Sequence, residues 1–317
     1  MTVDEFPYAG VASFLRSPLV ATPTHDAGDV AVYGVPFDQG TTARAGARMG
    51  PRGIREASML YAYFPRGERV YDGEARAWLL DGVRLVDAGD VSVPPMAPPE
   101  IYHEAVSTRV QELTAAGLFP VGLGGDHSIT YPILRGLVAA RGGKPVHLVQ
   151  LDTHMDYWDD EGGQRFTHAS PIIRSHEDGL LSTATQYGIR GLHTIRDNIE
   201  LAQERGVHVF WCEQAKATPV DELVAHIEPG EDVYLTIDID ALDPCIAPGT
   251  GTPEPGGFSY YEAKAIVRAV ALRANLVGMD VVEVSPPYDV AQLTALHATR
   301  LILDALGAAF AGEPRRS

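Results

Sequence analysis

The sequence predicts an α/β fold built on a mostly parallel central sheet, and three observations carry that expectation. Short, continuous apolar runs recur at residues 30–35, 83–86, 118–123, 146–151, 185–189, 207–211, 233–237 and 276–284. They do not alternate apolar with polar, which is the pattern of strands covered on both faces. Segments with apolar residues every three or four positions lie between them, at 100–116, 132–140, 197–205 and 260–274, with a last one at 292–310. No linker, internal repeat or low-complexity tract interrupts the alternation, so residues 1–317 read as one domain. Each run precedes a turn or a helix-spaced segment. The last segment is expected to pack back onto the domain as a terminal helix.

Composition narrows the function. Lys and Arg number 25 against 42 Asp and Glu, a net charge of −17. That balance disfavours a partner read through its phosphate backbone, so no nucleic acid is expected. It suits a soluble surface or the capture of cations. Two cysteines, Cys212 and Cys245, cannot build a disulfide framework or a thiolate zinc site, and a reducing, cytoplasmic setting is expected. The first ten residues carry two acids and no Lys or Arg, unlike a secretory signal. No apolar run approaches the roughly 20 residues that span a bilayer, so no membrane partner is expected.

Three polar clusters begin where apolar runs end. They are Gly124-Gly125-Asp126-His127-Ser128, Asp152-Thr153-His154-Met155-Asp156, and Asp238-Ile239-Asp240-Ala241-Leu242-Asp243-Pro244. In an open α/β sheet, ligands gather at the carboxyl ends of strands, which would put all three clusters along one edge. Alternating Asp152, His154 and Asp156 share a face of an extended segment, as do Asp238 and Asp240. Carboxylates packed this densely repel one another unless cations neutralise them. More than four carboxylate and imidazole ligands suggest two metal ions with shared carboxylates. Oxygen-rich coordination with some imidazole suits Mn²⁺, and Ni²⁺, iron, cobalt or zinc fit the same ligand types. Two ions that ionise a water at neutral pH imply metal-assisted hydrolysis.

The clusters resemble the ureohydrolase family, which includes arginase and agmatinase, and come closer to its agmatinase and guanidino-acid hydrolase branch. The resemblance extends to Gly34-Val35-Pro36-Phe37-Asp38, Ala45-Gly46-Ala47-Arg48-Met49-Gly50-Pro51, Asp87-Ala88-Gly89-Asp90, Pro248-Gly249-Thr250-Gly251-Thr252-Pro253 and Val281-Val282-Glu283-Val284-Ser285-Pro286. It covers about residues 30–305 and leaves short N- and C-terminal extensions. It implies a three-layer α/β/α domain and a pair of divalent ions, Mn²⁺ first and Ni²⁺ second. One ion would be held by His127, Asp152, Asp156 and Asp238, and the other by Asp152, His154, Asp238 and Asp240. The implied reaction is attack of an ionised water on a guanidinium carbon, giving urea and an amine. In it Asp156 handles a proton, Glu283 grips the guanidinium, and His168 shuttles a proton to the leaving amine. Asp126 and Asp243 would orient ligands rather than bind metal. The family also implies a homo-oligomer, a trimer or hexamer.

Departures from the resemblance bear on the substrate. Tyr157 and Trp158 follow Asp156, and Arg165-Phe166-Thr167 precede His168, where arginases carry small polar residues. Gly191-Leu192-His193 follow Arg190, and the acid that meets the α-ammonium of arginine is not visible there. Trp158 and Phe166 suggest an apolar pocket wall, and Arg165 a partner for a carboxylate tail. The expected substrates are agmatine, 4-guanidinobutyrate or 3-guanidinopropionate. Free or alkylated guanidines and biguanides are the alternative. The remaining histidines, His25, His103, His147, His176, His193, His208, His226 and His297, read as packing or exposed residues. Two other classes compete. A dinuclear phosphoesterase would bring its own histidine motifs, which do not occur here. A non-catalytic partner subunit would lack ligands, and all six are present.

Overall fold

The computed structural model describes residues 8–62, 70–94, 96–160 and 162–311. The ends of the two expected extensions, residues 1–7 and 312–317, lie outside these. All eight apolar runs form strands of one sheet: β1 (Val30–Gly34), β4 (Leu85–Asp90), β5 (Phe119–Leu123), β6 (Val146–Leu151), β7 (Leu181–Ile189), β8 (Val207–Trp211), β9 (Asp232–Asp238) and β10 (Asn275–Val282). Two short strands, β2 (Val70–Asp72) and β3 (Ala77–Leu79), pair as a separate antiparallel ribbon. The large sheet runs β4-β1-β5-β10-β9-β6-β7-β8, and every pairing in it is parallel.

Helices cover both faces. The five helix-spaced segments become α2 (Pro99–Ala115), α3 (Thr130–Ala140), α5 (Arg196–Glu204), α8 (Tyr260–Arg273) and α9 (Leu293–Ala309). The structure adds α1 (Gly50–Ser58), α4 (Pro171–Glu177), α6 (Cys212–Ala217) and α7 (Val220–Leu223). Side chains alternate across each strand, so one continuous apolar run feeds two cores. In β6, Val146 and Leu148 enter one core with Val106 of α2 and Leu134 of α3. Val149 and Leu151 enter the other, with Ile54 of α1, Val267 of α8 and Leu301 of α9. Three layers, α/β/α, result. Burying a Val or Leu side chain is worth about 1.5–3 kcal/mol, so polar residues at the strand ends sit on a rigid base.

Candidate metal centre

The four central strands, β5, β10, β9 and β6, are neighbours in the sheet, and their carboxyl ends deliver all three clusters plus Glu283 to one place. A single local device shapes each cluster. Asp126 Oδ1 accepts the Ser128 N–H at 3.0 Å, Asp152 Oδ1 accepts that of His154 at 2.6 Å, and Asp238 Oδ1 accepts that of Asp240 at 2.9 Å. An aspartate bonded to the amide two residues on is an Asx-turn, which bends the chain off a strand end. Gly125 is required in the first cluster. A Cβ there would lie 2.0 Å from the Phe37 carbonyl oxygen.

Two groups of potential ligands share one carboxylate: His127, Asp152 and Asp156 on the inside, and Asp152, His154 and Asp240 further out. Within each, the donor atoms lie within 4.8 Å of one another. His127 Nδ1 stands 3.0 Å from Asp152, 2.7 Å from Asp156 and 3.3 Å from Asp238. It is buried and makes no aligned hydrogen bond to any of them. A buried ring nitrogen ringed by oxygens without a hydrogen bond fits a cation ligand. His154 Nδ1 lies 3.2 Å from Asp240 and 3.6 Å from Asp152.

The protein alone is electrostatically crowded here. Asp152, Asp156, Asp238, Asp240 and Glu283 are all buried. Burial pushes Asp156 up to about 6, and the neighbouring Asp152 charge adds to it. Burial and adjacent aspartates push Asp238 and Asp240 up as well. Against its own burial, Asp152 is held low by His127 and His154. Divalent cations would relieve this crowding, and the oxygen and imidazole donor set fits them.

Glu283 and His168 face each other over the inner group. Glu283 Oε1 accepts the His127 N–H at 3.0 Å and lies 3.0 Å from His168 Nδ1, while its buried Oε2 has no partner. Burial alone would lower the His168 pKa, but the Glu283 carboxylate outweighs it and raises the ring to about 9. On the far side, His168 Nε2 meets the Thr42 amide at 3.2 Å and the Thr42 hydroxyl at 2.8 Å. Asp156 and Glu283 are both non-glycine residues in the left-handed region, at φ 51° and 62°. Such strain costs about 1–3 kcal/mol per residue and concentrates at functional sites.

The site opens into a cavity of about 200 Å³ lined by Thr42, Ala43, Met155, Trp158, His193, Thr194, Asn198 and Thr252 as well as the clusters. Trp158 is one of the residues that line the cavity. Arg165 and Phe166 are not among the residues that line it. Arg165 is exposed and pairs with Asp159 and Glu177, both at 3.0 Å. Phe166 stacks on Tyr131 and meets the edge of His103, because its ring gains more from that aromatic cluster than from the cavity. Tyr157 is buried, with its hydroxyl 2.9 Å from His176 Nδ1. Asp126 accepts the Gly40 N–H at 2.7 Å and the Ser128 hydroxyl, so it fastens the Thr42 loop. Asp243 accepts the N–H of Cys245, two residues on, and that of Gly256, both at 2.9 Å.

Several contributors were not legible in the sequence. His193, read as a packing or exposed residue, lines the cavity and lies 3.2 Å from Glu254. Thr236 receives His127 Nε2 at 3.0 Å and donates to Asp280 at 2.5 Å, and Tyr234 and Thr130 also bond that buried acid. Gln150 donates to Asp152 Oδ2 at 2.6 Å. No residue type marks Thr236 or Gln150, since both sit inside apolar runs. Asp280 within Met279-Asp280-Val281-Val282 was the available signal, a buried acid in a central strand.

Comparison with known proteins gives a consistent result. The family model described as "Arginase family" matches residues 28–307. The chain is 38% identical over 307 residues to the human mitochondrial guanidino acid hydrolase, covering 94% of this chain and 82% of that one. It is 37% identical to a guanidinopropionase of Pseudomonas aeruginosa, with 94% and 92% covered. Among solved structures, the proclavaminate amidino hydrolase of Streptomyces clavuligerus superposes with a TM-score of 0.86 at 33% identity, covering 96% of this chain and 98% of that one.

Proposed function

The chain belongs to the arginase family, and on that premise we propose that it hydrolyses a guanidino compound to urea and an amine at a pair of divalent ions. The observation that carries the reading is the pair of ligand groups sharing Asp152 beneath a glutamate whose Oε2 is buried and unpartnered. The inner ion would be held by His127, Asp152, Asp156 and Asp238, the outer by Asp152, His154, Asp238 and Asp240. Mn²⁺ is the first choice and Ni²⁺ the second. Bound ions would supply an ionised water at neutral pH and stabilise negative charge developing at the guanidinium carbon.

The chain's own residues do the rest. Glu283 is fixed by the His127 amide and by His168, leaving Oε2 to accept a guanidinium N–H; a planar cation suits such a carboxylate. Asp156, raised toward neutrality by burial and Asp152, takes up the proton released by the attacking water. His168 holds a proton at Nδ1 toward Glu283 and passes it to the departing amine. Its Nε2 proton stays on the Thr42 hydroxyl oxygen, so the ring left behind is neutral.

Relatives named guanidinopropionase, guanidinobutyrase and agmatinase support 3-guanidinopropionate, 4-guanidinobutyrate or agmatine as the substrate. A second reading, a small alkylated guanidine, draws on the cavity wall. Trp158 lines it, and no Lys or Arg does among the described residues. A cytoplasmic enzyme is supported by two unpaired cysteines, one of them exposed. No helix of the described residues is long and apolar enough to cross a membrane. Assembly into a trimer or hexamer belongs to the same reading, and sedimentation velocity tests it.

Urea release after loading with Mn²⁺ or Ni²⁺ tests the function. The panel holds agmatine, both guanidino acids, arginine, guanidine and an N,N-dialkylguanidine. Urea from agmatine or a guanidino acid supports the first reading, and urea from guanidine or the dialkyl compound alone supports the second. No urea from any of them, with two ions bound, overturns both.

A further inference from the structure

Arg190 follows directly on β7, outside the ligand set and outside the residues that line the cavity. Its guanidinium makes its hydrogen bonds to backbone carbonyls of three separate segments. Nε donates to Pro255 at 3.1 Å. Nη1 donates to Gly188 at 3.2 Å and Ala241 at 3.4 Å. Nη2 donates to Asp240 at 2.8 Å, Glu254 at 2.8 Å and Leu242 at 3.4 Å. An arginine carries five N–H donors in a fixed planar fork, and here the fork is spent on main chain. The backbone of Arg190 adds a further tie, its N–H donating to the Thr153 carbonyl at 2.9 Å.

These contacts converge on the two segments that carry the outer ligands. Thr153 precedes His154, and its own N–H donates to Asp240 Oδ1 at 3.2 Å. Asp240, Ala241 and Leu242 form the turn that aims the Asp240 carboxylate. Glu254 and Pro255 belong to the loop whose Thr252 lies 3.4 Å from Asp240 Oδ2. His127, in the inner group, is instead held through its own ring by Thr236 and Asp280.

We infer that Arg190 is a positioning residue for the outer cation: it locks the carbonyls of the Asp240 turn and the neighbouring loop, and so sets where Asp240 and His154 point. The inference rests on the two-ion reading above. A lysine has a point charge and no fork, and cannot span six carbonyls. Residues that orient metal ligands typically change affinity by about 10- to 100-fold.

The test uses the full chain stripped of metal and titrated with Mn²⁺, read by calorimetry and by the electron paramagnetic resonance of the bound ions. The wild type is expected to take two equivalents and to show a spin-coupled pair. Arg190→Lys should bind the first equivalent as the wild type does and the second about 10- to 100-fold more weakly, with a spectrum of isolated ions at one equivalent. Gly257→Ala disturbs the same junction without changing the Arg190 side chain's chemistry, since its new methyl would stand 2.5 Å from the Leu242 carbonyl carbon and 2.6 Å from both Arg190 Nη2 and the Asp243 nitrogen. It should move the second equivalent in the same direction. Arg55→Lys, which disturbs a buried ion pair with Asp87 remote from the site, controls for general destabilisation and should leave both equivalents unchanged. Unchanged second-ion binding in Arg190→Lys and Gly257→Ala, or equal weakening of both ions in all three variants, overturns the inference alone. A wild type that binds fewer than two ions overturns the two-ion reading and this inference with it.

Discussion

The two ligand groups share Asp152 yet are built differently. The inner group is buried throughout, and its imidazole is backed by a side-chain relay, His127 to Thr236 to Asp280. The outer group is less enclosed, with the His154 side chain 18% exposed, and it is held mainly by main chain. A relay of side chains fixes a ring through directed bonds. A backbone grip fixes a turn and lets the carboxylate follow. The inner position should therefore depend on individual side chains, and the outer one on the integrity of loops 188–193 and 238–257.

The largest expected effect removes chemistry from the inner group. Asp156→Asn keeps the shape and removes the proton acceptor, and kcat should fall by about 10²- to 10⁴-fold in a urea-release assay. A loss below tenfold would move the proton to another group. Chelation comes next. An ion held at a thousandfold excess over its Kd contributes about 4 kcal/mol, so stripping both should lower Tm by roughly 10 °C or more. Calorimetry after returning one equivalent should recover part of that loss, in proportion to the ion that binds first. Thr236→Val is smaller. It leaves His127 Nε2 without its partner, and the first Mn²⁺ equivalent should bind about 10- to 100-fold more weakly while the second is spared. Equal weakening of both would erase the distinction between the groups.

These predictions rest on residues of unequal legibility. Every strand of the large sheet could be read in the sequence, because all but the half-exposed edge strand β8 are buried on both faces over most of their length and so carry apolar runs. The short helices α4, α6 and α7 and the 70–79 ribbon carry too few residues for periodicity to register. The ligand residues were legible because aspartate and histidine at the ends of apolar runs have few other uses. Side-chain direction in the loops was not. Trp158 and Phe166 look alike in sequence, but Phe166 is drawn off by Tyr131 and His103. Arg165 is drawn off by two carboxylates.

Two smaller effects test that division of the outer wall. His103, which holds Phe166, is kept near 4 by burial and by the Arg135 charge, below its usual 6.5. The native state therefore resists a proton that the unfolded chain accepts. Stability is full above pH 6.5 and falls as pH drops toward 4, by roughly 2–3 kcal/mol from this residue. His103→Gln should flatten that share of the slope in urea melts of the metal-free chain. The smallest change is expected for Arg165→Ala, whose exposed ion pairs are worth under about 1 kcal/mol. Its kcat/KM should stay within about twofold for every substrate. A selective loss on guanidino acids would place the arginine back in the cavity.

The central claim, two cooperating ions that share Asp152 and Asp238, is tested most directly by urea release from metal-free protein titrated with Mn²⁺ at saturating substrate. The account predicts almost no turnover up to one equivalent and full turnover at two. Full activity at a single equivalent, or none at two with any guanidino compound, would contradict it.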